Sequence, residues 1–385
     1  MFILLFIIMV LLLTIFIYVD IVPYFKRKVR KLVFFQGNYE LYVSNVIKAS
    51  LDMYNTNEPE MILNDNKDFI TQFSILISRL KSPNNEWNYN FPKAFLILGL
   101  FDYYECKNFE TIIKISDFYI DKYYKKELKF DCIMRIPYAL FFLKVYSKTK
   151  DKKLLRVIHE AYSNILEWRS DNNIIYYFRK GKHLHSNLHY VDGLGMYIPF
   201  LVEYYKVFNE NKAIEIAKYN MDYYINYGTD RNCLPFHNIN NNINLGPNNW
   251  GRGVSWFILG LMPLFEIDEK YIDFGNKLLC TLEKIKNEKF VWSQFPGASF
   301  RIDSSVTVPI LLLYFKLGKI SDKKDIDYLK NILFKLTLRN GKIYYNSGDT
   351  RDINTYSKEF STSEFTQGIL LSLLSIIENN QKNIL

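Results

Sequence analysis

The chain has 385 residues, 49% hydrophobic and 17% aromatic, which excludes disorder and leaves room for one large domain or two ordinary ones. Its formal net charge of +9 includes a local cluster, Lys26, Arg27, Lys28, Arg30 and Lys31; elsewhere there is no basic stripe and no nucleic-acid motif. Four cysteines, Cys106, Cys132, Cys233 and Cys280, lie far apart without Cys-x-x-Cys spacing, which argues against a disulfide framework or structural zinc and reads as buried thiols in a reducing compartment.

Residues 1–19 carry no charged side chain, and as a helix they would reach roughly 28 Å, near the hydrocarbon thickness of a bilayer. No basic start and no small-residue cleavage site mark them as a signal peptide. The expectation is a single-pass membrane anchor over residues 1–20. The basic cluster that follows places the rest on the cytoplasmic side by the positive-inside rule. Residues 21–84 read as a basic juxtamembrane segment and helical lead-in, with helices at Leu41–Tyr54 and Phe69–Leu80 around a polar loop, Asn55–Asn66.

From residue 85 to 385 a repeat emerges. Polar or aromatic signatures introduce apolar helices near Phe91, Asp131, Asp192, Arg252, Ser304 and Ser363. The later steps are about 52 to 61 residues, enough for two helices of four or five turns and their connections. A more charged helix follows each, as at Lys212–Tyr227 and Tyr271–Lys286. Six such hairpins in a ring bury the apolar helices inside, leave amphipathic partners outside, and open all six signature loops on one face. The expected fold is therefore all-α, a toroid of six α-hairpins behind an N-terminal transmembrane helix. Strand-like runs are short, at Ile174–Phe178 and Ile343–Tyr345, and suit small hairpins at the rim.

Two signatures stand out. Tyr190-Val191-Asp192-Gly193-Leu194-Gly195-Met196 puts one carboxylate at the start of an apolar helix, where Asp is also a favoured cap. Trp250-Gly251-Arg252-Gly253-Val254-Ser255-Trp256 opens the next inner helix. Its arginine offers a planar two-donor match to a carboxylate and equally suits an ion pair within the ring. Its tryptophans suit either sugar stacking or core. Asp131, in Phe130-Asp131-Cys132, opens the second hairpin in the same manner, with the same choice between capping and chemistry.

Together these segments resemble the signatures of glycoside hydrolase families 88 and 105, the unsaturated glucuronyl and rhamnogalacturonyl hydrolases. The match runs in order over roughly residues 85 to 378 and includes Leu234-Pro235-Phe236-His237, Trp292-Ser293-Gln294 and Asp303-Ser304-Ser305. The resemblance implies the same six-hairpin toroid. It also implies hydration of the double bond between carbons 4 and 5 of a terminal unsaturated uronic acid, after which the hemiketal opens and releases the remaining sugar. Asp192 is then the acid that protonates carbon 4 and the base that activates water, and Asp131 the second essential carboxylate. Arg252, Trp250, Trp256, His237, Tyr190 and Ser305 would contact substrate, with Trp87 and Tyr89 as rim aromatics. The expected partner is an anionic oligosaccharide. No cofactor, metal or nucleic acid is called for.

The chain departs from the family pattern in three places. Tyr190 stands where tryptophan is common, Val254-Ser255 replaces Asn-Gly, and Gly181 replaces a histidine, although His183, His185 and His189 lie nearby. These departures bear on substrate preference. The alternative reading is a membrane-tethered glycan-binding or polysaccharide-assembly protein of the same fold without this activity.

Overall fold

A computed structural model of the chain describes residues 2–17, 32–56, 59–62, 91–170, 172–177, 188–298, 301–320, 322–350 and 353–384. Trp87, Tyr89, the Lys26–Lys31 cluster, the helix expected at Phe69–Leu80 and the trio Gly181, His183 and His185 lie outside these residues.

Thirteen α-helices are present among the described residues. The first, α1 (Phe2–Phe16), exposes its apolar side chains, Phe2 at 87% and Leu12 at 42%. Its 15 residues reach about 22 Å, short of the ~30 Å hydrocarbon core. Among the described residues no helix is long and apolar enough to cross a membrane, so the expected span over residues 1–20 is not seen as such.

The remaining twelve helices form two layers. Six are inner: α3 (Phe91–Tyr104), α5 (Ile136–Thr149), α7 (Val191–Phe208), α9 (Gly251–Leu261), α11 (Ser304–Lys316) and α13 (Glu364–Ile384). Each packs on the next, and α13 closes the circle on α3. Inner helices are apolar all round: every residue of α9 is buried, as is every residue of α3 from Phe91 to Phe101. The outer six, α2 (Tyr39–Asn55), α4 (Phe109–Tyr124), α6 (Leu155–Glu167), α8 (Asn211–Tyr227), α10 (Glu269–Lys284) and α12 (Lys323–Leu336), bury only a stripe. In α10 that stripe is Tyr271, Gly275, Leu278, Leu279 and Leu282, the spacing of one helix face.

Closure of the ring depends on two glycines facing each other. A Cβ at Gly99 of α3 would stand 2.0 Å from the Gly368 carbonyl oxygen of α13, and one at Gly368 2.0 Å from the Phe95 carbonyl oxygen. The bore beside this crossing is filled by aromatic rings from three inner helices. Trp256 packs on Phe91 at 5.3 Å, on Phe95 at 5.3 Å and on Phe365 at 4.6 Å between centroids.

The inner helices begin at Phe91, Ile136, Val191, Gly251, Ser304 and Glu364, close to the signature positions. The second departs: Asp131 lies in a loop before a 3-10 turn, Ile133–Arg135, and the α-helix starts only at Ile136. Among the described residues strands are few and fall elsewhere than expected. β1 (His189–Tyr190), β2 (Asn238–Asn240) and β3 (Ile243–Leu245) form one antiparallel sheet, and β4 (Asn346–Ser347) pairs with β5 (Phe360–Ser361). The runs at Ile174 and Ile343 make only isolated bridges, Ile175 with Arg169 and Ile343 with Thr337. The cysteines are all free; Cys106 and Cys280 are exposed and Cys132 and Cys233 half-buried, which corrects the reading of buried thiols.

Candidate active site

Strand pairing builds the site. β1 and β2 set Tyr190 opposite Asn238, and the Val191 amide donates to the His237 carbonyl at 3.0 Å. The helix α7 starts immediately after β1, so Asp192, in its first turn, projects beside His237. Its Oδ2 lies 3.5 Å from His237 Nε2, and its side chain is 15% exposed. The cap position belongs to Tyr190, whose side chain makes no capping bond, so Asp192 is not spent as a cap. Asp192 Oδ2 is buried with no hydrogen-bond partner.

His237 is held from behind. Its Nδ1 lies 2.8 Å from the Tyr356 hydroxyl and 3.2 Å from the Ile353 carbonyl. Trp250 packs against its ring at 4.3 Å, and Tyr190 meets it edge-on at 5.5 Å. With Nδ1 engaged on one side, Nε2 is turned to Asp192. Tyr177 joins Tyr190 at 5.3 Å, and burial, reinforced by the charges of Asp192 and Asp349, holds its hydroxyl well above the ordinary tyrosine value.

Arg252 occupies the floor, 1% exposed. Its Nη1 donates to the Ser347 carbonyl and its Nη2 to the Gly348 carbonyl, both at 2.7 Å, and Nη2 lies 3.6 Å from Asp349 Oδ1. The guanidinium thus braces the turn after β4 instead of pointing an open fork at a ligand. The brace presents a second carboxylate. Asp349 is pushed up to about 6 by burial; Arg252 pulls it down and the nearby Asp192 charge pushes it further up. The sequence gives little sign of Asp349, because the Asn346-Ser347-Gly348-Asp349 turn lies over 150 residues from Asp192 and carries no helix signature.

Other expected site residues fall deeper. Trp256 is 1% exposed inside the aromatic bore, so it is core and not a platform. Ser305 is fully buried; its hydroxyl donates to Asp303 Oδ1 at 2.6 Å and its carbonyl accepts from Ser255 at 2.8 Å. The cap of α11 is Asp303. Ser255, one of the departures from the family pattern, therefore ties α9 to α11. Trp292 is likewise structural, its indole donating to the Leu282 carbonyl at 2.8 Å. Trp250 is buried at the site, with its Nε1 unpartnered. Asp131 is different again: it pairs with Arg135 Nη1 at 2.8 Å and is 62% exposed, one residue from Cys132, whose neighbourhood reaches Tyr177. Among the described residues no group of side chains could hold a metal ion.

Comparison with solved structures finds the same fold repeatedly at low identity. A possible member of glycoside hydrolase family 105 from Salmonella enterica superposes with a TM-score of 0.70 at 16% identity, over 89% of this chain and 94% of that one. An unsaturated glucuronyl hydrolase from Bacillus sp. GL1, described as responsible for glycosaminoglycan degradation, gives 0.65 at 14% identity, over 88% and 96%. An α-1,6-mannanase of Salegentibacter sp. HEL1_6 gives 0.63 at 14%, over 89% and 100%, so the fold alone does not fix the chemistry. Comparison with curated protein sequences finds no match. The model of Glycosyl Hydrolase Family 88 matches residues 62–293, a stretch holding Asp131, Asp192, His237 and Arg252, and the chain accordingly belongs to that family and is a glycoside hydrolase.

Proposed function

We propose that the protein hydrolyses unsaturated uronyl oligosaccharides by hydrating the double bond between carbons 4 and 5 of the terminal sugar. The observation that carries this reading is the unpartnered Asp192 Oδ2, buried beside His237 Nε2 at the mouth of an inner helix. A carboxylate that neither caps nor pairs fully is free to exchange a proton with a substrate.

In this scheme Asp192 delivers a proton to carbon 4, and as the carboxylate it then takes one from the water that adds at carbon 5. His237 orients the carboxylate and that water. Asp349 faces the same space and, holding its proton up to about pH 6, leaves room for a negatively charged sugar at acidic pH. Asp131, exposed near the same rim, holds substrate hydroxyls, exchanging Arg135 for sugar. Arg252 acts indirectly, by fixing the turn that carries Asp349. Support from relatives is the family itself and the glucuronyl hydrolase of the same fold.

The experiment is an incubation of the protein with lyase-generated disaccharides from several uronic-acid polysaccharides, following loss of the double-bond absorbance. Absorbance that persists across the panel at pH 5 to 8 would sink the reading.

A further inference from the structure

A cavity lies on the other side of the β1–β2–β3 sheet from Asp192. Successive strand residues face opposite ways. Tyr190 packs on His237 at the active site, whereas His189 packs on Tyr223 and Tyr224 of the outer helix α8, with centroids 5.8 and 5.2 Å away. The cavity there measures about 460 Å³, within the ~300–1,000 Å³ of small-molecule sites.

Its walls have one character. Tyr219, Tyr223 and Tyr227 recur four residues apart along one face of α8, and Tyr219 and Tyr227 are 45% and 46% exposed. Opposite them stands the two-residue turn of the β2–β3 hairpin, Asn241-Asn242, with φ of +47° and +65°. Asparagine tolerates this left-handed backbone, and the turn aligns its amides with the tyrosines: Tyr223 Oη donates to Asn242 Oδ1 at 2.8 Å. Asn172 and Asn173 complete the rim. None of the described lining residues is Asp, Glu, Lys or Arg.

His189 lines the same cavity, 2% exposed, and its protonation pattern follows from its neighbours. Asn220 Nδ2 donates to the carbonyls of Asn173 and Ile216, at 3.1 and 2.9 Å, so its Oδ1 is an acceptor. Tyr197 Oη donates to that oxygen at 3.2 Å, and must accept from His189 Nε2, 3.1 Å away. The proton of the neutral ring therefore sits on Nε2, and Nδ1 is a bare lone pair with no partner. Burial keeps the ring neutral, its value lowered to about 3.

We propose that this cavity is a second carbohydrate site, separate from the Asp192 cleft, that takes an uncharged glycosyl unit. The sugar's C–H face stacks on the α8 tyrosines and its hydroxyls meet the asparagine amides. Tyrosine rings and neutral amides match a sugar; the lack of charged side chains among the described lining residues favours a neutral sugar over a uronate. The site holds a neutral part of a glycan while the cleft works on its end, and it does not depend on the cleavage chemistry.

The test uses the full chain and methyl β-glucoside, methyl α-rhamnoside and N-acetylglucosamine, with glucuronic acid as the anionic control, titrated by saturation-transfer NMR and calorimetry. At least one neutral sugar should bind at millimolar concentrations, and more tightly than glucuronic acid. The double variant Tyr219→Ala, Tyr227→Ala, altered only at half-exposed positions, should weaken that binding by about tenfold or more. Its melting temperature and its turnover of an unsaturated uronyl disaccharide should stay at parental values. Asp192→Asn should keep the binding. The proposal is overturned if no neutral sugar binds, if glucuronic acid binds as tightly, if the tyrosine variant binds normally, or if Asp192→Asn abolishes binding.

Discussion

Asp192 Oδ2 stands 3.5 Å from His237 Nε2, brought there by the antiparallel pairing of β1 with β2. Neither residue is held by the other alone: His237 is fixed by Tyr356 and the Ile353 carbonyl, and Asp192 by the first turn of α7. Because Asp192 does not cap its helix, Asp192→Asn should leave the melting temperature nearly unchanged. Turnover of an unsaturated uronyl disaccharide should fall by about 10² to 10⁴, the usual range for a general acid–base group. Near-normal turnover in this variant would remove Asp192 from the chemistry.

Asp349 gives the site a pH dependence. Its folded value of about 6 lies above the ordinary 3.8, so it is neutral below and charged above that range. A new negative charge beside Asp192 opposes a uronate, and KM should rise as pH passes through about 6. In Asp349→Asn that rise should vanish. The same shift acts on stability: the folded protein binds this proton more tightly than the unfolded chain, so the parent loses stability between about pH 4 and 6. Above pH 6 the asparagine variant should therefore melt higher than the parent. A KM profile identical in the two proteins would show that Asp349 does not face the substrate.

The ring was legible in the sequence because its inner helices are apolar all round and recur at a near-constant step. Five of the six starts fall within a residue of the signatures, and the exception at Asp131 arises because a 3-10 turn intervenes before Ile136. Asp192 and His237 were legible through the family's local motifs. Asp349 was not, since its placement rests on Arg252 gripping the carbonyls of Ser347 and Gly348, a contact between remote segments. Trp256 and Ser305 read as site residues because they belong to the signature stretches, yet Trp256 packs into the aromatic bore and Ser305 into the α9–α11 contact. The two-residue turn at Asn241-Asn242 shows the same limit, its chemistry appearing only once α8 supplies the facing tyrosines.

Asp131 separates rim binding from acid–base chemistry. Its partner Arg135 ends the 3-10 turn that follows it, and an exposed pair of this kind contributes at most about 1 kcal/mol. Asp131→Asn should accordingly fold like the parent. Holding sugar hydroxyls from the rim predicts a raised KM with a much smaller loss of kcat than Asp192→Asn. A kcat loss as deep as that of Asp192→Asn would make Asp131 an equal partner in the proton transfers.

Arg252 provides the sharpest contrast between a brace and a clamp. A guanidinium that is 1% exposed, with Nη1 and Nη2 each turned to a backbone carbonyl, has almost no surface left to present to a substrate carboxylate. Arg252→Ala leaves those carbonyls unpaired and Asp349 without its nearest positive charge, a loss of about 3 kcal/mol or more. The melting temperature should drop clearly, and the turn carrying Asp349 should become accessible to hydrogen exchange. Arg252→Lys keeps the charge but has a point donor in place of the fork, so it should recover only part of the stability. A clamp predicts the opposite: parental melting in both variants, with KM raised many-fold for uronyl substrates. Measuring melting, exchange at residues 346–350 and KM on the same two variants decides between them, and parental stability in Arg252→Ala would sink the brace.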